Sequence, residues 1–230
     1  MRREELSVDG GTPPSMVLLP GWATDGRLFD GLFPGVSTVR VSGALRPGGF
    51  PDRLAAFLEA AAPGPVTVVG WSLGGFLAAE FAARHPGRVR RLVLVGVRRR
   101  YPAVDVEAVR ERLSHDRKGC LSDFYTQCFF PSRMAEYRRF RAGLQREYLR
   151  EMDDAALLEG LSCLASSTLS AAALPPCPVA FVHGEKDVVA PAAEAEALAR
   201  ESGRATYRLL RGAPHAAFLD EGFGVAASDG

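Results

Sequence analysis

Gly70-Trp71-Ser72-Leu73-Gly74-Gly75 constrains this chain more than any other segment. It follows the apolar run Pro65-Val66-Thr67-Val68-Val69 and precedes Leu77-Ala78-Ala79-Glu80-Phe81-Ala82-Ala83-Arg84, which is rich in helix formers. A glycine two residues before a serine and another two after it, between strand and helix, describe a tight turn that holds the serine in a strained backbone and exposes its hydroxyl. Glycine is needed on both sides because a Cβ would collide across the turn. The free N–H groups at the start of the helix then lie beneath the hydroxyl.

A strand feeding a helix at this point implies a sheet with crossover helices, and the rest of the chain agrees. Short β-type runs at 16–19, 36–41, 65–69, 91–95, 179–183 and 207–210 alternate with helical stretches at 51–62, 73–84 and 191–201. Near-continuous apolar runs such as Leu92-Val93-Leu94-Val95 suit strands buried on both faces, hence a mostly parallel α/β sheet flanked by helices. The alternation breaks once, for about 80 residues after Gly96, too long for a loop. That stretch has helical period, interleaves Arg with aromatics, and leaves through Leu174-Pro175-Pro176-Cys177-Pro178. The expectation is a core of residues 1–96 and 175–230, with 97–174 inserted as a helical cap over the sheet's C-terminal edge, where open α/β sheets bind ligands.

A serine hydroxyl needs a base to act as a nucleophile at neutral pH. Of four histidines, His85 ends the helix after the serine and suits its C-terminal dipole. His115 lies in a charged stretch, and His183 ends a strand. His215, in Arg211-Gly212-Ala213-Pro214-His215, follows the last strand at the sheet edge and is the expected base. Asp187, in His183-Gly184-Glu185-Lys186-Asp187, is the expected carboxylate that orients it, in preference to Glu185, which comes directly after the strand. The chain order Ser72, Asp187, His215 is that of a nucleophile on such a turn. Two oxyanion donors are expected: the backbone N–H of Leu73, and that of Trp22 in the loop after the first core strand.

Leu18-Leu19-Pro20-Gly21-Trp22, the serine turn, His183-Gly184-Glu185-Lys186-Asp187 and Ala213-Pro214-His215-Ala216-Ala217-Phe218, in this order, resemble the α/β-hydrolase superfamily. Within it the chain is most similar to the pimeloyl-[acyl-carrier protein] methyl ester esterases of biotin synthesis, over nearly its whole length. The resemblance implies a cytoplasmic serine carboxylesterase, with Trp71 lining the acyl channel. In the cap itself, Phe124, Tyr125, Phe129, Phe130 and Phe140 read chiefly as packing of its underside, with some, Phe124, Phe129 and Phe130 in particular, lining an apolar tunnel. Three departures stand out. Pro20 occupies the place of a His-Gly pair, the first hairpin is expected to be reduced or absent, and the closing helix short or missing.

Charge adds a partner. Residues 97–150 hold thirteen Arg and Lys against seven acids, in a chain whose formal net charge is +1. Arg138, Arg139, Arg141, Arg146 and Arg150 recur there at mixed helical spacings. They form a candidate docking face for an acidic acyl carrier protein, against the plainer reading of a solvated helix. The surplus does not imply nucleic acid. No apolar run approaches the length of a membrane span, and no secretory signal is read at the N-terminus. Cys120, Cys128, Cys163 and Cys177 match no metal-ligand spacing and read as free thiols; no metal or cofactor is expected. Competing functions are a general carboxylesterase or thioesterase without a carrier, a carbon–carbon lyase, and a non-catalytic ligand receptor on the same fold. Phe76, where the related lyase carries Arg after Gly-Gly, argues against the lyase.

Overall fold

The computed structural model describes residues 4–224. Seven strands form one sheet: β1 (Glu5–Asp9), β2 (Met16–Leu19), β3 (Thr38–Ser42), β4 (Val66–Trp71), β5 (Val89–Val95), β6 (Val179–Gly184) and β7 (Thr206–Leu210). Their spatial order is β1-β3-β2-β4-β5-β6-β7. Only β1, against β3, is antiparallel; the other neighbouring pairs are parallel. Every residue of β2, β4 and β6 is buried, because helices cover both faces of a parallel sheet.

The strand that the sequence hid is β1. Four of its five residues are exposed, Val8 among them, and a run this short and polar carries no buried face to mark it as a strand. It is the single strand, among the described residues, where the first hairpin was expected to be reduced or absent. The question of the closing helix falls largely on residues outside the described ones.

Three helices pack on the sheet: α1 (Phe50–Ala61), α2 (Leu73–Arg84) and, after the insertion, α8 (Ala192–Ser202). In α1, Phe50, Leu54 and Leu58 recur every four residues and are fully buried, and Pro51 sits in the first turn, where its missing N–H costs nothing.

Between β5 and β6 the described chain is helical throughout its regular structure: α3 (Ala103–His115), α4 (Arg117–Phe129), α5 (Met134–Ala142), α6 (Leu144–Glu151) and α7 (Asp154–Ser166). Asp116 and Asp153 cap α4 and α7 by accepting the N–H of Gly119 and Ala156, both at 2.9 Å. The helices are fastened to loops at the C-terminal ends of the strands. Tyr125 Oη donates to Ala23 O (2.7 Å), Trp22 Nε1 to Leu157 O (2.9 Å), and Ala216 N to Cys128 O (2.9 Å). No described helix is long and apolar enough to cross a membrane.

Candidate active site

Ser72 stands alone between β4 and α2, with φ +54° and ψ −117°, a left-handed conformation that a non-glycine residue adopts only when its surroundings enforce it. Its N–H donates to Val95 O and its carbonyl accepts from Gly75 N, both at 2.9 Å. A Cβ on Gly70 would meet the backbone of Gly74 and Gly75, and one on Gly74 would meet the carbonyl oxygens of Leu19 and Pro20. The second contact shows how closely the loop after β2 lies against the start of α2.

That loop carries Trp22. It turns tightly: Thr24 donates to Gly21 O through both N–H (3.4 Å) and Oγ1 (3.0 Å), and Ala23 has φ +58°. The side chains of Trp22 and Leu73 meet at Gly160 of α7, Trp22 Cδ1 lying 2.8 Å and Leu73 Cδ2 3.2 Å from where a Cβ would stand. Leu73 is the first residue of α2, so its N–H has no partner within the helix. Pro20, lacking an N–H, contributes only its carbonyl oxygen, toward Gly74.

His215 lies in the loop after β7 and is completely buried. Trp71 Nε1 donates to its carbonyl oxygen at 3.0 Å, and the two rings are 5.2 Å apart. The imidazole lies against Gly96, whose Cβ would be 3.1 Å from Nδ1. Ser72, bonded to Val95, and His215, against Gly96, therefore both lie at the C-terminal end of β5.

Asp187, on the β6–α8 loop, takes His215 Nδ1 on Oδ2 at 2.8 Å. Its Oδ1 accepts the N–H groups of Val189 and Ala190, both at 2.8 Å. Burial alone would push this carboxyl up, but the facing His215 and hydrogen bonds from His183 and His215 outweigh burial and hold it well below the usual carboxylate range. With Nδ1 engaged, His215 Nε2 is left buried and without a hydrogen-bond partner. The hydroxyl of Ser72 does not bond to it; Oγ is 3.4 Å from Tyr101 Oη instead.

Tyr101 is a site residue that the sequence did not reveal. It lies just before α3, in a stretch with no motif, and comes to the serine only because the chain turns back after β5. Burial pushes its phenol well above its ordinary value, so it is a donor and not a base. Arg98 stacks over its ring at 5.3 Å and pairs with Glu194 at 2.9 Å. Tyr101 also lines a mainly apolar cleft of about 200 Å³ that opens at Ser72, with Trp22, Val106, Val109, Phe124 and Leu164 among its walls.

Of the residues expected to line that cleft, Phe124 does, edge-on to Trp22 at 4.9 Å. The other three lie outside its lining. Trp71 is 1% exposed and packs behind the His215 loop against Phe218, because the pleat turns the last side chain of β4 away from the cleft. Phe129 is buried among Tyr137 and Phe140, joining α4 to α5. Phe130, just past the end of α4, is 50% exposed.

Glu185 is exposed and accepts Gly212 N at 2.9 Å, away from His215. His85 caps α2, and His115 bonds Glu111 O at 2.9 Å on the surface. Arg138, Arg139 and Arg141 on α5 and Arg146 on α6 are exposed with no carboxylate in ion-pair reach among the described residues. Arg150 pairs with the adjacent Glu151 at 2.8 Å. The described residues include no group of three or more His, Cys, Asp and Glu able to hold a metal ion.

A serine on a strand-to-helix turn, with a carboxylate-held imidazole supplied by the last two strand-end loops, defines a hydrolase class of α/β protein. The chain belongs to the α/β hydrolase family, whose family model matches residues 16–228. It is 31% identical to a pimeloyl-[acyl-carrier protein] methyl ester esterase of Nitrosomonas europaea, over 91% of each chain. It is 32% identical to one of Methylococcus capsulatus, over 92% of this chain and 91% of that one. Among solved structures, an esterase from Exiguobacterium antarcticum shares the fold with a TM-score of 0.79 at 18% identity, over 95% of this chain and 90% of that one. An enol-lactonase from Burkholderia xenovorans does so with a TM-score of 0.79 at 18% identity, over 94% and 90%.

Proposed function

We propose that this chain is a serine carboxylesterase that demethylates a short dicarboxylyl chain, pimeloyl in particular, carried as a methyl ester on acyl carrier protein in the cytoplasm. The observation that carries the chemistry is the pairing of a strained, buried serine with an imidazole whose Nδ1 is held by a carboxylate and whose Nε2 is unpartnered. Rotation of Ser72 about χ1 moves Oγ from the Tyr101 phenol toward that nitrogen, a tightening that free enzymes often leave to the substrate complex. Oγ then attacks the ester carbonyl while His215 takes its proton, and Asp187 offsets the charge that develops on the ring. The N–H groups of Trp22 and Leu73 receive the oxyanion. His215 returns the proton to the departing methoxide, methanol leaves, and a water activated by the same imidazole frees the acid from the serine.

The relatives' names support the acyl-carrier substrate, and two features of this chain favour it. The cleft at Ser72 is mainly apolar, as a methylene chain requires, with residues 97–174 acting as the cap over it. On that cap Arg138, Arg139, Arg141 and Arg146 offer an acidic carrier unpaired positive charge, with Arg150 beside them. Four free thiols accord with a reducing compartment.

Rescue of biotin-free growth in an esterase-deficient host tests the substrate: wild type should rescue and Ser72→Ala should not. A folded, well-expressed wild type that fails to rescue would leave a general carboxylesterase without a carrier. The carrier itself is tested by reversing Arg138 and Arg139 to Glu. The rate on carrier-bound pimeloyl methyl ester should fall about 10-fold, and an unchanged rate would exclude docking through α5.

A further inference from the structure

Asp187 has more polar neighbours than a carboxylate serving one histidine requires. Besides the two backbone N–H groups on Oδ1 and His215 on Oδ2, Oδ2 meets a second imidazole, His183 Nε2, at 3.1 Å. His183 is the penultimate residue of β6 and has no exposed surface. Its Nε2 also lies 2.9 Å from the carbonyl oxygen of Ala190. Both neighbours of Nε2 are acceptors, so that nitrogen carries the proton; its hydrogen bond runs to Ala190 O, with the carboxylate of Asp187 in ion-pair reach beside it. Nδ1 is buried with no hydrogen-bond partner; this suits a lone pair and not an N–H, since a buried donor left unpaired is costly.

We propose that His183 is a positioning residue for ester hydrolysis, fixing the Asp187 carboxylate and setting how strongly it holds His215. The proposal rests on reading Ser72, Asp187 and His215 as the reacting set. With two imidazoles in reach of Oδ2 and two backbone N–H groups on Oδ1, rotation of the carboxylate about χ2 is restrained. Each donor also draws negative charge from the other. Removing His183 therefore has two consequences. The carboxylate is freer to rotate, so the base is correctly aimed less often. The charge left on Oδ2 is greater, so Asp187 stabilises the imidazolium of His215 more and the base becomes protonated at higher pH.

Few other groups can produce such a shift. Asp187 faces His183 from β6, His215 from the loop after β7, Tyr101 from the segment before α3, and Cys128 from α4. Burial pushes both the Tyr101 phenol and the Cys128 thiol up, which keeps them neutral where the enzyme works. Arg98 lies over the Tyr101 ring and is paired to Glu194.

The test is the pH profile of kcat and kcat/KM on p-nitrophenyl butyrate for wild type, His183→Phe and His183→Gln. Phe keeps a ring and removes the donor; Gln places an amide nitrogen at the reach of Nε2. His183→Phe should lower kcat about 10-fold, the worth of a hydrogen bond to a charged group, with KM within about 2-fold. The acid limb of kcat/KM should move up by about half a pH unit. His183→Gln should recover both. Equal losses in the two variants with an unmoved acid limb would make His183 structural and overturn the proposal. Should the variants fail to fold, ¹⁵N-histidine spectra of the wild type decide: His183 should show the Nε2–H tautomer, and an Nδ1–H tautomer overturns the assignment. Ser72→Ala belongs in the same assay. If it matches wild type, the reacting set is wrong and the proposal goes with it, a result distinct from any His183 outcome.

Discussion

At the sheet edge, backbone groups hold the site. Ser72 hangs from Val95 O, Asp187 is gripped by the N–H groups of Val189 and Ala190, and the carbonyl of His215 is pinned by Trp71. In the helical insertion, side chains provide the holding. Tyr125, Phe129, Phe140 and Tyr148 stack on one another. Tyr148 Oη donates to the fully buried Asp25 at 3.0 Å, and Arg27 pairs with that same carboxylate at 2.8 Å. Arg117 reaches across to Met152 O at 2.7 Å. Position at the edge is thus set within a few residues of a strand end, whereas position in the insertion depends on side chains stacked within it and on a tether to Asp25, 123 residues before Tyr148. The edge has little freedom to vary. The insertion can change its outer face as long as its inner tethers remain.

The largest test of that contrast is Ser72→Ala, which should cost at least about 10,000-fold in kcat while leaving the melting temperature near wild type. Retained hydrolysis would remove the edge from the chemistry. Asp187→Asn comes next, at about 1,000- to 10,000-fold in kcat, because the wrong tautomer of His215 is then favoured. It should also alter stability in acid. The folded-state carboxyl titrates below its ordinary value of 3.8, so its stabilisation is fully present above that pH and is lost as the pH falls below it. Thermal melts taken from pH 5 to pH 2 should therefore decline less steeply for the Asn variant; parallel curves would deny the depressed value.

Tyr148→Phe probes the tether. Removing one donor from a buried carboxylate should cost about 1–3 kcal/mol of stability, measured by urea unfolding, and no change would mean that Arg27 and the N–H of Gly43 suffice to secure Asp25. The smallest effect is expected at the outer face. Arg138→Glu with Arg139→Glu should stay within about 0.5 kcal/mol of wild type in stability, because neither side chain has an ion-pair partner among the described residues. A larger loss would show that the outer face is bound into the fold after all.

The sequence alone determined the alternation of strands and helices, the serine turn, and the order in which serine, carboxylate and imidazole arrive. Each of these is written in a short stretch whose backbone demands particular residues: glycine at the crowded turn, apolar runs in strands covered on both sides, an acid and a histidine just past strand ends. Strand β1 escaped notice because an exposed edge lacks that pattern. Tertiary structure alone decided that Tyr101 faces the serine, that His183 shares the carboxylate of Asp187, and that Trp71 and Phe129 turn away from the cleft. Those outcomes depend on how separate elements pack and which way a pleat or helix face points, and side-chain contacts over such distances leave no local periodicity to read.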